Sequence, residues 1–130
     1  MATERRAEAT WHGTLMEGSG AIERVGSGAF GPLDVTWASR AEEPAGRTSP
    51  EELIAAAHAS CFAMALAHGL AEAGHDATTL SVTAQVTFEP GTGITKSALD
   101  VQGDVPGVDE AGFRDAAEQA KESCPVSLQG

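Results

Sequence analysis

The first forty residues alternate short apolar stretches with glycine-rich turns. Strands are predicted at Ala9–Gly13, Ala21–Val25 and Leu33–Trp37, and the third alternates apolar and polar positions with period two. The turns between them contain Gly18-Ser19-Gly20 and Gly26-Ser27-Gly28. These glycines are more typical of hairpin turns than of phosphate-binding loops, because they lack the spacing and the strand-to-helix context of a nucleotide loop.

A long helix is predicted to begin just after Ser49. Ser49 offers a hydroxyl at the N-cap, Pro50 suits the first helical position, and Glu52 completes the pattern of a capping box. Gly74 is a natural stop. One stripe at helical spacing comprises Leu53, Ala57, Cys61, Met64 and His68. This stripe predicts that Cys61 faces protein rather than bulk water.

The centre of this helix is almost as long as a membrane span. Leu53–Ala71 carries no Asp, Glu, Lys or Arg, and a span needs about 20 apolar residues. We favour a buried core helix, because the segment is mostly alanine and contains His58, Ser60 and His68. The N-terminus has no apolar run typical of a signal peptide, so we expect a cytoplasmic protein whose cysteines stay reduced and form disulfides only transiently.

The second half of the chain predicts a hairpin and another helix. Thr79–Phe88 alternates apolar and polar residues, and Ile94–Val101 returns as its partner strand. Asp109 can cap a helix. The apolar stripe of that helix comprises Phe113, Ala116, Ala117, Ala120 and Cys124. The order βββ-α-ββ-α predicts an α+β fold, with helices against antiparallel sheet, in a single domain over residues 1–130.

The charge of the chain narrows its partners. Its 130 residues include 8 basic and 19 acidic side chains, for a net charge of −11. Such a surface repels phosphate backbones and anionic lipids, and no basic cluster offsets it. We therefore expect neither a nucleic-acid partner nor a membrane partner.

The two cysteines are the candidate chemical groups. A thiolate is the nucleophile, and an ordinary cysteine with a pKa of about 8.5 is mostly protonated at neutral pH. Cys61 lies too far along its helix for the dipole to help, so it needs a nearby positive group. Arg24, Arg40 and Arg47 are the candidates, together with His58 one turn before the cysteine. We favour Arg40, because it ends the third predicted strand just ahead of the loop into the helix.

The residues by themselves leave simpler interpretations open. A buried Cys61 can be an inert small hydrophobe, and Cys124-Pro125 can be only a helix end. Glu51 can be a first-turn carboxylate that the helix dipole favours. His58 and Cys61 together form only a weak zinc signal, so no metal is expected. Two rival functions also remain, a cysteine-dependent hydrolase or acyltransferase and a non-catalytic binding protein on the same fold.

Three segments resemble the OsmC/Ohr family of thiol peroxidases. Thr48–Leu66, with the sequence TSPEELIAAAHASCFAMAL, resembles the core motif of the family. Ser123–Ser127, with the sequence SCPVS, resembles its second cysteine motif. Trp37–Arg40 resembles the segment that carries the active-site arginine in the OsmC branch, the osmotically inducible proteins. The resemblance covers nearly the whole chain in order.

This resemblance implies a fold, an activity and partners. The fold is an intertwined homodimer whose sheets wrap around central helices in a shared core. The activity is the reduction of organic hydroperoxides, and more weakly of hydrogen peroxide, in oxidative or osmotic stress. No metal or organic cofactor is implied, and the reductant is an external dithiol such as a lipoylated protein. The final strand of the family is expected to be missing, because the chain ends shortly after the second cysteine motif.

The resemblance also implies a role for each motif residue. Cys61 is the peroxidatic cysteine and Cys124 the resolving cysteine, which pair in a redox-active disulfide. Arg40 stabilises the thiolate and orients the peroxide, and Glu51 holds its guanidinium by a charge-assisted hydrogen bond. Arg24 is the alternative arginine, because the Ohr branch takes this residue from an earlier segment. The substrate pocket is expected to comprise Phe62, Met64 and Phe88.

Overall fold

A computed structural model describes residues 2–127 of the chain. Its elements are β1 (Ala7–His12), β2 (Ser19–Val25), β3 (Leu33–Val35), α1 (Trp37–Ala41), α2 (Pro50–Glu72), β4 (Thr79–Glu89), β5 (Gly93–Asp104) and α3 (Glu110–Ser123). This order confirms the predicted α+β class and succession of elements. It adds one short helix, α1, ahead of the long one.

Contacts within the chain define two compact units. The N-terminal unit comprises Met1–Leu53 with Phe88–Gly93, and the C-terminal unit comprises Ile54–Thr87 with Ile94–Gly130. The single domain over residues 1–130 therefore stays a prediction.

The N-terminal unit contains a three-stranded antiparallel sheet in the order β1-β2-β3. A parallel bridge between Val35 and Thr48 connects the end of β3 to the residue ahead of the N-cap of α2. The sheet thus fixes both ends of the loop that carries α1.

The chain does not stay extended as far as Arg40, so the placement of this residue at the end of a strand is wrong. Thr36 caps α1: its Oγ1 accepts the N–H of Ser39 at 3.0 Å, and Ser39 Oγ accepts the N–H of Thr36 at 2.9 Å. These reciprocal bonds form a capping box. They stop the strand and place Arg40 on a helical turn, with its side chain beside the start of α2.

The start and end of α2 follow the predicted signals. Ser49 Oγ accepts the N–H of Glu52 at 3.1 Å, as an N-cap should. The carboxylate of Glu52 accepts a bond from the Thr48 hydroxyl at 2.8 Å, so only half of the expected capping box is present. Gly74 follows the helix in the left-handed conformation, with φ of 88°, and provides the stop.

The predicted buried stripe of α2 is wrong at Ala57, Met64 and His68, whereas its Cys61 packs against the core as predicted. Phe62, Leu66 and Leu70 are the residues of α2 that belong to the hydrophobic core, whereas Met64 is 73% exposed and His68 is also exposed. The error has a physical cause. This helix is apolar on nearly every side, so its sequence pattern does not select one buried face.

One copy of the chain does not enclose α2. The helix is long and apolar enough to cross a membrane by length and composition, with a mean hydropathy of 1.6 over 18 residues, yet only 22% of that window is buried. Ile54 and Met64 are among its exposed apolar side chains. The expectation of a helix surrounded by protein is therefore not met within a single chain.

In the C-terminal unit, α2 and α3 form one core. Asp109 Oδ1 accepts the N–H of Gly112 at 2.8 Å and caps α3, as predicted. The predicted apolar stripe of α3 also packs on the core, at Phe113, Ala116, Ala117, Ala120 and Cys124. The β4–β5 hairpin contributes partly buried side chains, among them Leu80 and Val82. This packing brings the end of α3 to the middle of α2.

Candidate active site

The two cysteines lie against each other in the C-terminal unit. Cys61 is in the middle of α2 and partly buried, and Cys124 is the fully buried C-cap of α3. Both thiols are free, and their Sγ atoms are 3.1 Å apart. A disulfide bond is about 2.05 Å long, so an approach of about 1 Å would join them. The two sulfurs are therefore close enough to be partners in a disulfide.

The surroundings of Cys124 favour its thiolate. Burial raises the pKa of Cys124. Hydrogen bonds from the Ser127 hydroxyl, from Cys61 and from the backbone N–H groups of Ser127 and Val126 lower the pKa by more than burial raises it. The net result is a pKa below the ordinary value for cysteine. The turn after α3 thus stabilises a negative charge on the cysteine at the helix end.

Cys61 shows the opposite balance. The backbone N–H of Val126 lowers the pKa of Cys61, but burial and the neighbouring Cys124 thiol together raise it above the ordinary value. Two sulfurs in contact resist carrying two negative charges, so the pair titrates as a unit. Cys61 needs a further positive group in order to act as the thiolate.

Arg40 and the buried Glu51 form a bidentate ion pair in the N-terminal unit. Arg40 Nε donates to Glu51 Oε1 at 3.0 Å and to Oε2 at 3.1 Å, and Nη2 donates to Oε2 at 2.9 Å. Glu51 is only 6% exposed, and these bonds compensate the cost of burying its carboxylate. The charge-assisted hydrogen bond expected between the two residues is present, and it is bidentate.

Aromatic rings complete the position of this arginine. Arg40 Cζ lies 4.3 Å from the centroid of the Phe88 ring, at the distance of a cation–π contact. Trp37 packs edge-on against the same ring, with centroids 6.1 Å apart and planes at 85°. We call Trp37, Arg40, Glu51 and Phe88 the arginine cluster.

A buried histidine stands beside the cysteine pair. His58 is 8% exposed; its Nδ1 lies 2.6 Å from Ser97 Oγ and its Nε2 lies 2.8 Å from Ser127 Oγ. From the sequence, His58 was only a candidate cation, and the two serines had no assigned role. Ser127 lies in the second cysteine motif, which was the one signal for it, and nothing in the sequence marked Ser97. We call His58, Cys61, Ser97, Cys124 and Ser127 the thiol cluster.

A family model described as OsmC-like protein matches residues 43–129 of the chain. The chain belongs to this family. The match contains both cysteines and Glu51, whereas Arg40 precedes it.

Curated and solved relatives agree with the family. The chain is 39% identical over 130 residues to Peroxiredoxin OsmC of Escherichia coli (strain K12), an alignment that covers 98% of this chain and 90% of that protein. The organic hydroperoxide resistance protein OsmC of Legionella pneumophila is 25% identical, with a TM-score of 0.67 over 95% of this chain and 88% of that one. OhrB of Bacillus subtilis has the same fold, with a TM-score of 0.61, 23% identity and coverage of 95% and 89%. These likenesses confirm the predicted family, its α+β fold and the enzyme class, a peroxidase.

Within this OsmC-like chain, Arg24 and Arg40, the two arginines that the family resemblance offers as the thiolate partner, have different surroundings. Arg24 forms an ion pair with Glu8 at 3.2 Å, in which both side chains are at least half exposed. An exposed pair of this kind is weak and screened by salt. Arg40 has a buried partner and an aromatic neighbour, so the structure favours Arg40 over Arg24 as the fixed positive group.

The three residues of the predicted substrate pocket have different surroundings. Phe62 belongs to the core of the C-terminal unit, Met64 faces outward and Phe88 contacts Arg40. A cavity of about 620 Å³ lies along α2 and α3, lined in part by Gly69 and Ala116, and none of the three residues lines it. The pocket stays a prediction.

The weak zinc signal at His58 and Cys61 is not completed. Among residues 2–127, no group of three or more His, Cys, Asp or Glu side chains could hold a metal ion. The hydrogen-bond partners of the histidine are instead two hydroxyl groups.

Proposed function

We propose that this OsmC-like peroxidase reduces organic hydroperoxides through a Cys61 sulfenic acid and a Cys61–Cys124 disulfide, with hydrogen peroxide as a poorer substrate. The observation that carries the proposal is the contact of two free thiols at 3.1 Å, one in the middle of α2 and one at the end of α3. The names of the relatives support the substrate class, since one is a peroxiredoxin and one an organic hydroperoxide resistance protein.

In the first step the Cys61 thiolate attacks one peroxide oxygen. The O–O bond breaks, the sulfur gains a hydroxyl group as a sulfenic acid, and the other oxygen leaves as an alkoxide that takes a proton to become the alcohol. Sulfur is oxidised and the peroxide is reduced by two electrons. Negative charge moves from sulfur to oxygen during this step, so a fixed positive group lowers its barrier.

In the second step Cys124 attacks the sulfenic sulfur. The S–S bond forms, the S–O bond breaks, and the hydroxide leaves with the proton of the Cys124 thiol as water. The 3.1 Å contact and the lowered pKa of Cys124 both favour this reaction. An external dithiol, such as that of a lipoylated protein, then restores the two thiols by disulfide exchange.

Arg40 is proposed to supply the positive charge that Cys61 lacks. Its Nε and Nη2 are engaged by Glu51, and Nη1 makes no hydrogen bond to the described residues 2–127. That edge of the guanidinium is available to a thiolate or a peroxide oxygen. Glu51 would hold the guanidinium in one orientation, and Phe88 would cover one of its faces.

A homodimer is part of the proposal. The exposed apolar side chains of α2, among them Ile54 and the 73% exposed Met64, form a surface that a soluble monomer rarely leaves in water. A second copy that packs there would give α2 the enclosed position expected of a core helix. The intertwined dimer implied by the family resemblance has this arrangement.

Peroxide consumption by single cysteine variants tests the function. With a dithiol reductant and cumene hydroperoxide, Cys61→Ser should lose all turnover, and Cys124→Ser should lose sustained turnover while its Cys61 is oxidised once. Retained turnover in Cys61→Ser would contradict the proposal. A hydrolase or acyltransferase would depend on Cys61 but not on Cys124, and a binding protein would consume no peroxide with either variant or with the wild type.

A further inference from the structure

His58 is a buried titratable group that the two proposed steps do not use. It lies on α2, one turn before Cys61, and both of its ring nitrogens have hydroxyl partners. Ser97 belongs to β5 and Ser127 to the turn that follows Cys124. The imidazole therefore connects α2 to β5 and to the turn after α3. The two serines that it contacts lie 39 and 69 positions after His58 along the chain.

Ser127 carries this connection to the sulfur. It lies three positions after Cys124, in the turn that follows α3, and interactions of its hydroxyl and its backbone N–H with the Cys124 thiol lower the pKa of that thiol. His58 is thus two hydrogen bonds from the sulfur, through one hydroxyl. Because Ser127 is in the short turn that follows Cys124, a hydrogen bond that holds its side chain also restrains that turn.

With a neutral imidazole, one set of hydrogen positions satisfies every partner when Cys124 is a thiolate. The Ser127 hydroxyl donates to the sulfur, so its oxygen must accept from His58 Nε2–H. Nδ1 is then without a proton and accepts from the Ser97 hydroxyl. Ser97 would therefore fix the tautomer that the sulfur needs.

We propose that His58 is a positioning residue for the disulfide-forming step, in which it holds Ser127 and, through it, the Cys124 sulfur towards Cys61. The inference rests on the proposed peroxidase function. His58 itself gains and loses nothing in the step: the Cys124 thiolate displaces hydroxide from the sulfenic sulfur of Cys61, the S–S bond replaces the S–O bond, and the hydroxide takes up the proton that Cys124 released on ionisation to become water. The contact of His58 with Cys124 is indirect, so the attack of Cys61 on peroxide should not depend on it.

A purely structural role for His58 makes a different prediction. If the imidazole only tied α2 to β5, its loss would disturb the whole C-terminal unit and would slow both chemical steps together. A positioning role slows disulfide formation and leaves the preceding peroxide reaction unchanged. The two steps must therefore be timed separately.

Two amide substitutions separate the partners of His58. The amide of Asn reaches the position of Nδ1 near Ser97, and the amide of Gln reaches the position of Nε2 near Ser127. His58→Gln should keep disulfide formation within about threefold of wild type, whereas His58→Asn should slow it about tenfold, the usual effect of losing one buried hydrogen bond. Ser127→Ala should slow it to the same extent. His68→Asn is the matched control, since that histidine is exposed on the same helix, and it should not change either step.

The experiment is a single turnover of reduced protein with one equivalent of cumene hydroperoxide. Loss of peroxide times the first step, and quenching with an alkylating reagent followed by mass spectrometry times the disulfide. A sulfenic acid trap added before the peroxide should capture more Cys61 adduct in His58→Asn and in Ser127→Ala than in the wild type. Peroxide should disappear at the same rate in all variants.

Three results would overturn the inference. One is disulfide formation at the wild-type rate in both His58→Asn and Ser127→Ala, and another is an equal slowing of both steps. The third is a wild-type protein that forms no Cys61–Cys124 disulfide, which would overturn the proposed function as well. If His58→Asn does not fold, as circular dichroism would show, Ser127→Ala alone decides, because it leaves the imidazole in place.

Discussion

The arginine cluster and the thiol cluster are built by different kinds of interaction. The arginine cluster is held by a bidentate ion pair and an aromatic face, whereas the thiol cluster is held by hydrogen bonds among thiol, hydroxyl and imidazole groups. The first fixes a positive charge and the second fixes a geometry between two sulfurs. The raised pKa of Cys61 indicates that the contact between the two sulfurs does not by itself activate this thiol. The proposed chemistry therefore needs both clusters.

Removing the charge of the arginine cluster should have the largest effect. We expect Arg40→Met to lower kcat/KM for cumene hydroperoxide by about 10²–10³-fold, the usual loss when a fixed donor to developing charge is removed. Arg40→Lys should have a kcat/KM between those of the wild type and Arg40→Met, since it keeps the positive charge but loses the bidentate contact with Glu51. Steady-state peroxide consumption measures both.

Arg24→Met is the matched control for this prediction. Its exposed ion pair with Glu8 is outside the arginine cluster, so its kcat/KM should stay at the wild-type value. A loss in Arg24→Met with none in Arg40→Met would assign the positive group to Arg24 instead.

Glu51 tests whether the arginine cluster also stabilises the fold. Glu51→Leu leaves Arg40 without its buried partner and should lower the free energy of unfolding by about 1–3 kcal/mol. Glu8→Leu removes an exposed partner and should cost less than about 1 kcal/mol. Urea unfolding monitored by tryptophan fluorescence gives both values, and equal values for the two variants would show that burial of the Glu51 carboxylate has no energetic weight.

Phe88→Leu should have a smaller effect on the same cluster. It removes the cation–π contact with Arg40 and the edge contact with Trp37, while it keeps an apolar side chain. A contact of this kind is worth about 0.5–1 kcal/mol, so kcat/KM should fall about two- to fivefold. Phe30→Leu is the control, since Phe30 is an exposed ring. A wild-type rate in Phe88→Leu would show that the ion pair alone positions the guanidinium.

The thiol cluster should show its own effect in a titration. The pKa of Cys124 is lowered and that of Cys61 is raised. The reduced protein should therefore lose its first thiol proton at a pH below the ordinary pKa of cysteine and its second at a pH above it. A lowered pKa in the folded state stabilises the fold above the unfolded pKa, and this contribution is lost as the pH falls through the folded pKa. Thiolate absorbance should show two steps, and Ser127→Ala should move the first step up towards the ordinary value. A single step at the ordinary pH would show that the contact does not couple the thiols.

Local signals in the sequence were sufficient for most of the fold. The hydroxyl of Ser49 and the carboxylate of Asp109 cap the predicted helices, and β4 alternates as its pattern indicates. Such features depend on neighbours within four residues, so a sequence displays them directly. The capping box of Thr36 and Ser39 is equally local, but the period-two pattern around it suggested a longer strand.

Features that depend on distant residues could not be predicted in the same way. The buried face of α2 is chosen by α3, because an alanine-rich helix offers no single apolar side. The partners of His58 come from β5 and from the last described turn, and no spacing in the sequence relates them. The cysteine pair itself was predicted from the family resemblance, whereas its 3.1 Å contact follows from packing.

The most direct test of the account is peptide mapping under non-reducing conditions after treatment with one equivalent of cumene hydroperoxide. The account predicts that both thiols disappear together and that one linked pair of peptides contains Cys61 and Cys124. Dithiothreitol should then restore both thiols. Peroxide-treated protein in which Cys124 remains freely alkylatable, or in which Cys61 is unmodified, would contradict the central claim.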